Sequence, residues 1–157
     1  MVAIAENLAD VPYKDRQFPE GAGKGFYVQM AFILSRGAAI EEQACDPAEI
    51  YVCDSSLLVE HAYARMHLKS DVEALDLAVR QIEYLRRKLG PPDLLVYLDC
   101  SPQTQFDRIQ KRMQQEPDRA FEKRLTVEYL HEMSFYTGML VDDYEQRGGA
   151  VLRLNSE

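Results

Sequence analysis

The segment Pro92-Asp93-Leu94-Leu95-Val96-Tyr97-Leu98-Asp99-Cys100-Ser101-Pro102 leaves its chain few ways to fold. Leu94 to Leu98 is a short, unbroken apolar run, the pattern of a central parallel strand covered on both faces. Ser101 is a natural N-cap, and Pro102 stands at the first helical position, where no N–H is needed. The strand therefore exits directly into a helix. Along that helix Arg108, Lys111 and Arg112 lie three or four residues apart and share one face. Such a face suits a polyanion better than a hydrophobic core.

The rest of the chain repeats the alternation of strand and helix. Val2 to Ala5 is apolar and predicts a strand ending at Glu6, while 7–25 is rich in turn formers and charge and predicts a long surface loop. A helix is predicted from Gly25 to about Glu42, with Phe26, Met30, Ile33, Leu34 and Gly37 on its apolar stripe. Ile50 to Cys53 predicts a second strand, followed by Asp54-Ser55-Ser56 and a helix to about Met66. Ser70 and Glu73 have the spacing of a capping box for a long helix ending near Gly90. In it Val72, Leu75, Val79, Ile82 and Leu89 keep a coiled-coil-like spacing. A further helix, from about Thr126 to Gln146, and a strand from Ala150 to Leu154 complete the pattern. Strands alternating with helices predict an α/β fold with a parallel sheet, which binds ligands beyond the carboxyl ends of its strands. Glu6, Asp54, Asp99 and the Cys100-Ser101 cap all stand at such ends.

Bulk properties narrow the function. A length of 157 residues predicts one domain over 1–157, large enough for a proper core. A formal net charge of -8 argues against broad nucleic-acid or membrane binding, so local basic clusters point to a small anionic ligand. Cys45, Cys53 and Cys100 are odd in number and lack metal spacing, which predicts reduced thiols in a cytoplasmic protein. No stretch has the length of a membrane-spanning helix, and no signal peptide is visible. Gln29 and Arg36 are seven residues apart, two helical turns, and point the same way. A Gln that can bond a base edge beside an Arg suits a nucleoside pocket; the same pair also fits an ordinary solvated face.

Several stretches, in their order and spacing, resemble the deoxynucleoside kinase family, which includes deoxycytidine, deoxyguanosine and bacterial deoxyadenosine kinases. They are Glu6-Asn7-Leu8-Ala9-Asp10-Val11-Pro12-Tyr13, Gln29-Met30-Ala31-Phe32-Ile33-Leu34-Ser35-Arg36, Asp54-Ser55-Ser56, the Pro92 to Pro102 segment and the Arg108 to Arg112 run. Arg119-Ala120-Phe121-Glu122 and Leu125-Thr126-Val127-Glu128-Tyr129-Leu130 complete the set. The resemblance implies a three-layer parallel sheet flanked by helices, ATP and Mg2+ as cofactors, a deoxynucleoside as acceptor, a role in nucleotide salvage and a homodimer. It also implies roles. Glu6 is the general base for the deoxyribose 5′-hydroxyl, Tyr13 holds the 3′-hydroxyl, Gln29 reads the base edge, and Arg36 lies near the base and the catalytic carboxylate. Asp54 matches an acid close to the magnesium, and Glu60 an acid facing the base. A basic lid over about 108–124 would carry Arg108, Arg112 and Arg119 to the donor phosphates and Glu122 to the sugar. Counting forward from the strand selects Arg108 and Arg112, and counting back from Tyr129 selects Arg119 and Glu122. Both counts hold with a short insertion over 113–118.

Two departures stand out. Ser55 occupies the place where the family usually has an arginine. The glycine-rich phosphate loop ending Gly-Lys-Ser/Thr has no counterpart either, since five residues precede Glu6. The stretch Glu20-Gly21-Ala22-Gly23-Lys24-Gly25 fails as a substitute: Phe18 stands where a Gly is needed, and Gly25 where a hydroxyl is needed. The expectation is an N-terminally truncated kinase domain lacking its first strand, with exposed sheet edges and poor ATP binding. Thymidylate kinase is a rival, because Asp118-Arg119 resembles an acid–arginine pair in its lid. A non-catalytic homologue that binds a nucleoside or a partner subunit is another, favoured by both departures.

Overall fold

Caps and short apolar runs together produce four strands and five helices among the described residues. The structure, a computed structural model, describes residues 1–4, 25–44, 49–116 and 122–157. They form two compact units, Met1–Pro91 and Pro92–Glu157, and the whole is helix-rich α/β with two small parallel sheets.

In the first unit β1 (Val2–Ile4) pairs in parallel with β2 (Tyr51–Cys53), with Val2 opposite Tyr51 and Ile4 opposite Cys53. Three helices accompany them: α1 (Gly25–Gln43), α2 (Leu57–His67) and α3 (Val72–Leu89). Ser56 starts α2 by accepting the Leu58 N–H at 3.2 Å, satisfying one of the donors a helix start leaves open. At α3 the cap is Asp71, which accepts the Ala74 N–H at 3.0 Å, and not Ser70; the two are adjacent cap formers, and Asp71 is the one that reaches. The three helices pack on one another around Ile33, Leu57, Ala64, Leu68, Ala74, Ala78, Ile82 and Leu85. The buried residues of α3 are thus Ala74, Ala78, Ile82 and Leu85, with Leu75 and Leu89 packed against the same core. Of the coiled-coil-like set Leu75, Ile82 and Leu89 therefore face the core, whereas Val72 in the first turn is exposed. A Cβ at Gly37 of α1 would stand 2.8 Å from Cδ1 of Leu85. Leu34, expected on the apolar stripe of α1, is also exposed.

The second unit contains β3 (Leu95–Asp99), α4 (Pro102–Gln115), α5 (Val127–Gln146) and β4 (Val151–Asn155). β3 and β4 run parallel in a five-residue register from Leu95–Val151 to Asp99–Asn155. Ser101 caps α4 through the Thr104 N–H at 3.3 Å with Pro102 as its first residue, and Thr126 caps α5 through the Tyr129 N–H at 3.2 Å. Leu130, Leu140, Val141 and Tyr144 are the buried residues of α5. Tyr144 donates its hydroxyl to the Pro92 carbonyl at 2.9 Å, and a Cβ on Gly149 would overlap its ring.

The Leu94 to Leu98 run forms a strand as expected. Within the second unit its one neighbour is β4. Val96 and Leu98 stand opposite Leu152 and Leu154, two apolar cross-strand pairs on one face of the sheet. The run is apolar throughout because both faces of a parallel strand ordinarily need cover.

Two outcomes check this packing. Ile82→Ala should lower the unfolding free energy by about 2–5 kcal/mol in urea titration, and Val72→Ala by less than about 0.5 kcal/mol; comparable losses would restore the coiled-coil register. Gly149→Ala should cost about 1–3 kcal/mol by displacing the Tyr144 ring, visible as a lowered Tm.

Candidate functional site

The first unit buries a polar cluster where α1, the exit of β2 and the start of α2 meet. Gln29 and Arg36 sit two turns apart on α1 and turn inward together, each only 3 % exposed. Glu60, in the first turn of α2, is equally buried. Its place near a helix N-terminus favours a negative charge. Gln29 donates its amide Nε2 to Glu60 twice, to Oε2 at 3.3 Å and to the backbone carbonyl at 3.4 Å. Arg36 donates from Nη1 to the Asp54 carbonyl at 2.8 Å, and its Nε lies 4.0 Å from Glu60 Oε1. A guanidinium and a carboxylate so far from water persist only as a matched set. The cluster presents an amide, a carboxylate and a guanidinium, groups able to recognise a polar heterocycle edge.

The turn between β2 and α2 is under conformational constraint. Ser55 adopts φ 69°, a left-handed conformation uncommon outside glycine. The Cys53 thiol donates to the Ser55 carbonyl at 2.9 Å, and the Asp54 N–H extends the ladder to Ile4 O at 3.2 Å. Arg36 on the Asp54 carbonyl fixes the turn from the other side. Asp54 itself is exposed. Among the described residues no three His, Cys, Asp or Glu side chains stand together as a metal cage. A single exposed carboxylate at a strand end fits Mg2+, which is commonly held by one or two carboxylates together with substrate phosphates.

In the second unit the basic row of α4 divides. Arg112 pairs with Glu122, Nη2 to Oε1 at 2.8 Å; the carboxylate is 5 % exposed. Arg112 retains a buried Nε with no hydrogen bond. Arg108 turns elsewhere: it donates to the carbonyl and hydroxyl of Ser156 at 2.6 and 3.0 Å. Lys111 is exposed. Of the residues expected from sequence, the structure gathers Gln29, Arg36, Glu60 and the Asp54 backbone into one cluster, and Arg112 with Glu122 into another. Glu6, Tyr13 and Arg119 lie outside the described residues.

Besides the Arg112–Glu122 pairing, sequence reasoning missed two features. His61, buried beside Glu60, accepts at Nε2 from Arg65 Nε at 3.2 Å; a lone helical histidine carries no signal of this. The Ser156 contacts of Arg108 were also unforeseen, because they join residues 48 apart.

Removing one charge of the buried cluster should destabilise it more than neutralising it in place. Glu60→Ala should cost about 3–5 kcal/mol in urea unfolding because Arg36 would stay buried without this carboxylate. Glu60→Gln, which keeps an acceptor and the volume, should lose less. Equal losses would mean that the negative charge itself, and neither the acceptor nor the volume, is what the cluster needs.

No helix among the described residues is long and apolar enough to cross a membrane. No curated protein matches the chain. The deoxynucleoside kinase family model matches residues 7–153, which include the buried cluster of the first unit and the Arg112–Glu122 pair of the second. By that match, over most of its length, the chain belongs to the deoxynucleoside kinase family.

Proposed function

We propose that this chain is the acceptor-and-lid portion of a deoxynucleoside kinase, transferring the γ-phosphate of ATP to the 5′-hydroxyl of a deoxynucleoside. The observation that carries the reading is the buried Gln29–Arg36–Glu60 cluster at the exit of a parallel strand. A core position does not ordinarily hold an amide, a guanidinium and a carboxylate together, whereas a base-reading pocket needs such groups.

In this reading Glu6 takes the proton of the 5′-hydroxyl as that oxygen attacks the γ-phosphorus and the bond to the β-phosphate oxygen breaks. Gln29 and Glu60 meet the base edge, Arg36 lies near the base and the catalytic carboxylate of Glu6, and Tyr13 and Glu122 meet the sugar. Arg108, Arg112 and Arg119 face the donor phosphates, where guanidinium groups oppose the charge that develops during transfer. Magnesium, with Asp54 as an indirect partner, would neutralise part of the phosphate charge. The reading includes a three-layer parallel sheet, a homodimer and a cytoplasmic role in nucleotide salvage. No glycine-rich phosphate loop ending Gly-Lys-Ser/Thr occurs in the 157 residues, so donor affinity of this chain alone is expected to be low.

A second reading has a specific observation in its favour. Ser55 stands where the family usually has an arginine, and its left-handed backbone is one that a long side chain adopts less readily. A homologue that binds a nucleoside without transferring phosphate would tolerate that serine.

Calorimetry with the four deoxynucleosides separates the readings from an interaction domain. One or two should bind, and Gln29→Ala should weaken them at least about tenfold, in line with loss of a specific hydrogen-bonding pair. Glu6→Gln should retain binding. A folded chain that binds none would overturn the nucleoside assignment. Transfer that appears once a strand–phosphate loop–helix segment is supplied upstream would favour the kinase over the binding homologue.

A further inference from the structure

The start of α4 is fastened from a distance. In a capping box the N-cap hydroxyl takes the N–H of the third helical residue, and a Glu or Gln at that third position reaches back to the N-cap N–H. In α4 the first half is present: Ser101 Oγ accepts the Thr104 N–H at 3.3 Å. The second half cannot come from Thr104, whose side chain is too short. It comes instead from Glu157, 56 residues later, whose Oε1 accepts the Ser101 N–H at 2.7 Å. The other oxygen, Oε2, accepts the hydroxyls of Ser101 at 3.1 Å and Thr104 at 2.8 Å. The Thr104 hydroxyl and the Ser101 N–H hold the Glu157 carboxyl below the usual carboxylate range, with Arg108 adding to the effect.

The residues leading to Glu157 are shaped for the task. The Ser156 N–H extends the β3–β4 ladder to the Asp99 carbonyl at 2.7 Å. The Glu157 N–H bonds Asn155 Oδ1 at 2.9 Å, turning the chain back toward α4. Arg108, two turns into α4, closes the bracket by donating to the Ser156 carbonyl and hydroxyl. Two points on one helix, seven residues apart, are therefore tied to one short segment after β4. Two ties fix the rotation of a helix about its axis, which a single cap does not.

We propose that Glu157 is a positioning residue. Its carboxylate completes the cap of α4 and, with Ser156 on Arg108, sets the face on which Arg108 and Arg112 stand. The consequence for phosphate binding rests on the reading that this face meets a polyphosphate; the cap itself does not.

Backbone amide exchange and arginine side-chain NMR signals, recorded for wild type, Glu157→Ala and Glu157→Gln, test the cap. Glu157→Ala should speed exchange at Ser101 at least tenfold and shift the Nε–H signals of Arg108 and Arg112. Glu157→Gln, which keeps one acceptor oxygen, should recover most of both. Exchange within twofold of wild type and unmoved arginine signals in the alanine variant would overturn the proposal. Inorganic triphosphate titrated into the same proteins tests the consequence. If wild type binds it and Arg112→Ala weakens it, Glu157→Ala should weaken it at least fivefold, and an unchanged affinity would overturn the positioning role. If wild type does not bind it, the phosphate reading of α4 fails and the cap is decided by the exchange and arginine signals alone.

Discussion

A guanidinium that cannot reach water governs the architecture of the first unit. Arg36 is inside because α1 turns it inward two turns after Gln29, and its charge must be met where it stands. The Asp54 carbonyl and the Glu60 carboxylate meet it, and Gln29 occupies the remaining face of Glu60. These bonds join a helix, a strand exit and a second helix by directional contacts, where apolar packing alone would leave their registers free. Burying such charges is costly, and hydrophobic replacements of similar volume often stabilise a fold. Polar groups kept at that cost fix the register of the elements they join, which apolar packing alone does not.

The legibility of this arrangement in the sequence varied with the kind of signal. Helical periodicity placed Gln29 and Arg36 on one side of α1, because a two-turn spacing leaves little freedom. Glu60 entered through its spacing from Asp54 in a family pattern, and no local rule foretells its bonds to Gln29. The stripe of α3 was legible in part: Leu75, Ile82 and Leu89 face the core, whereas Val72 is exposed and Ala74 and Ala78, which hydropathy ranks below it, are buried. The choice of Asp71 over Ser70 turned on a one-residue shift between equivalent cap formers, a distinction only geometry makes. The Arg112–Glu122 pair escaped because ten residues separate its members without a common helix. Glu6, Tyr13 and Arg119, which carry much of the proposed chemistry, lie outside the described residues.

The second unit shows how contacts at strand ends supplement a short sheet. β3 is apolar at every position from Leu95 to Leu98, and within this unit it pairs with β4 alone. A two-stranded parallel pair is a poor independent structure, since parallel sheets gain stability from cover on both sides. The compensation lies at the ends of the strands. Tyr144 bonds the carbonyl of Pro92 ahead of β3, and the residues after β4 bracket the start of α4. Arg153 of β4 binds Asp142 and Glu145 of α5 and lies over the Tyr97 ring. Directional contacts at the margin thus add to the apolar pairing of the two strands.

The same logic bears on how an acidic chain can serve an anionic ligand. With a net charge of -8, long-range attraction for a polyphosphate is absent, and binding must rest on particular arginines. Arg112 is already matched to the buried Glu122 carboxylate, which keeps its guanidinium oriented without a ligand. The carboxylate then lowers the entropy lost on ordering the side chain, at the price of diluting its charge. Neutralising Glu122 would strengthen the local positive field and loosen the geometry together, so oriented donors, more than net charge, are what such a site would offer a transferring phosphate.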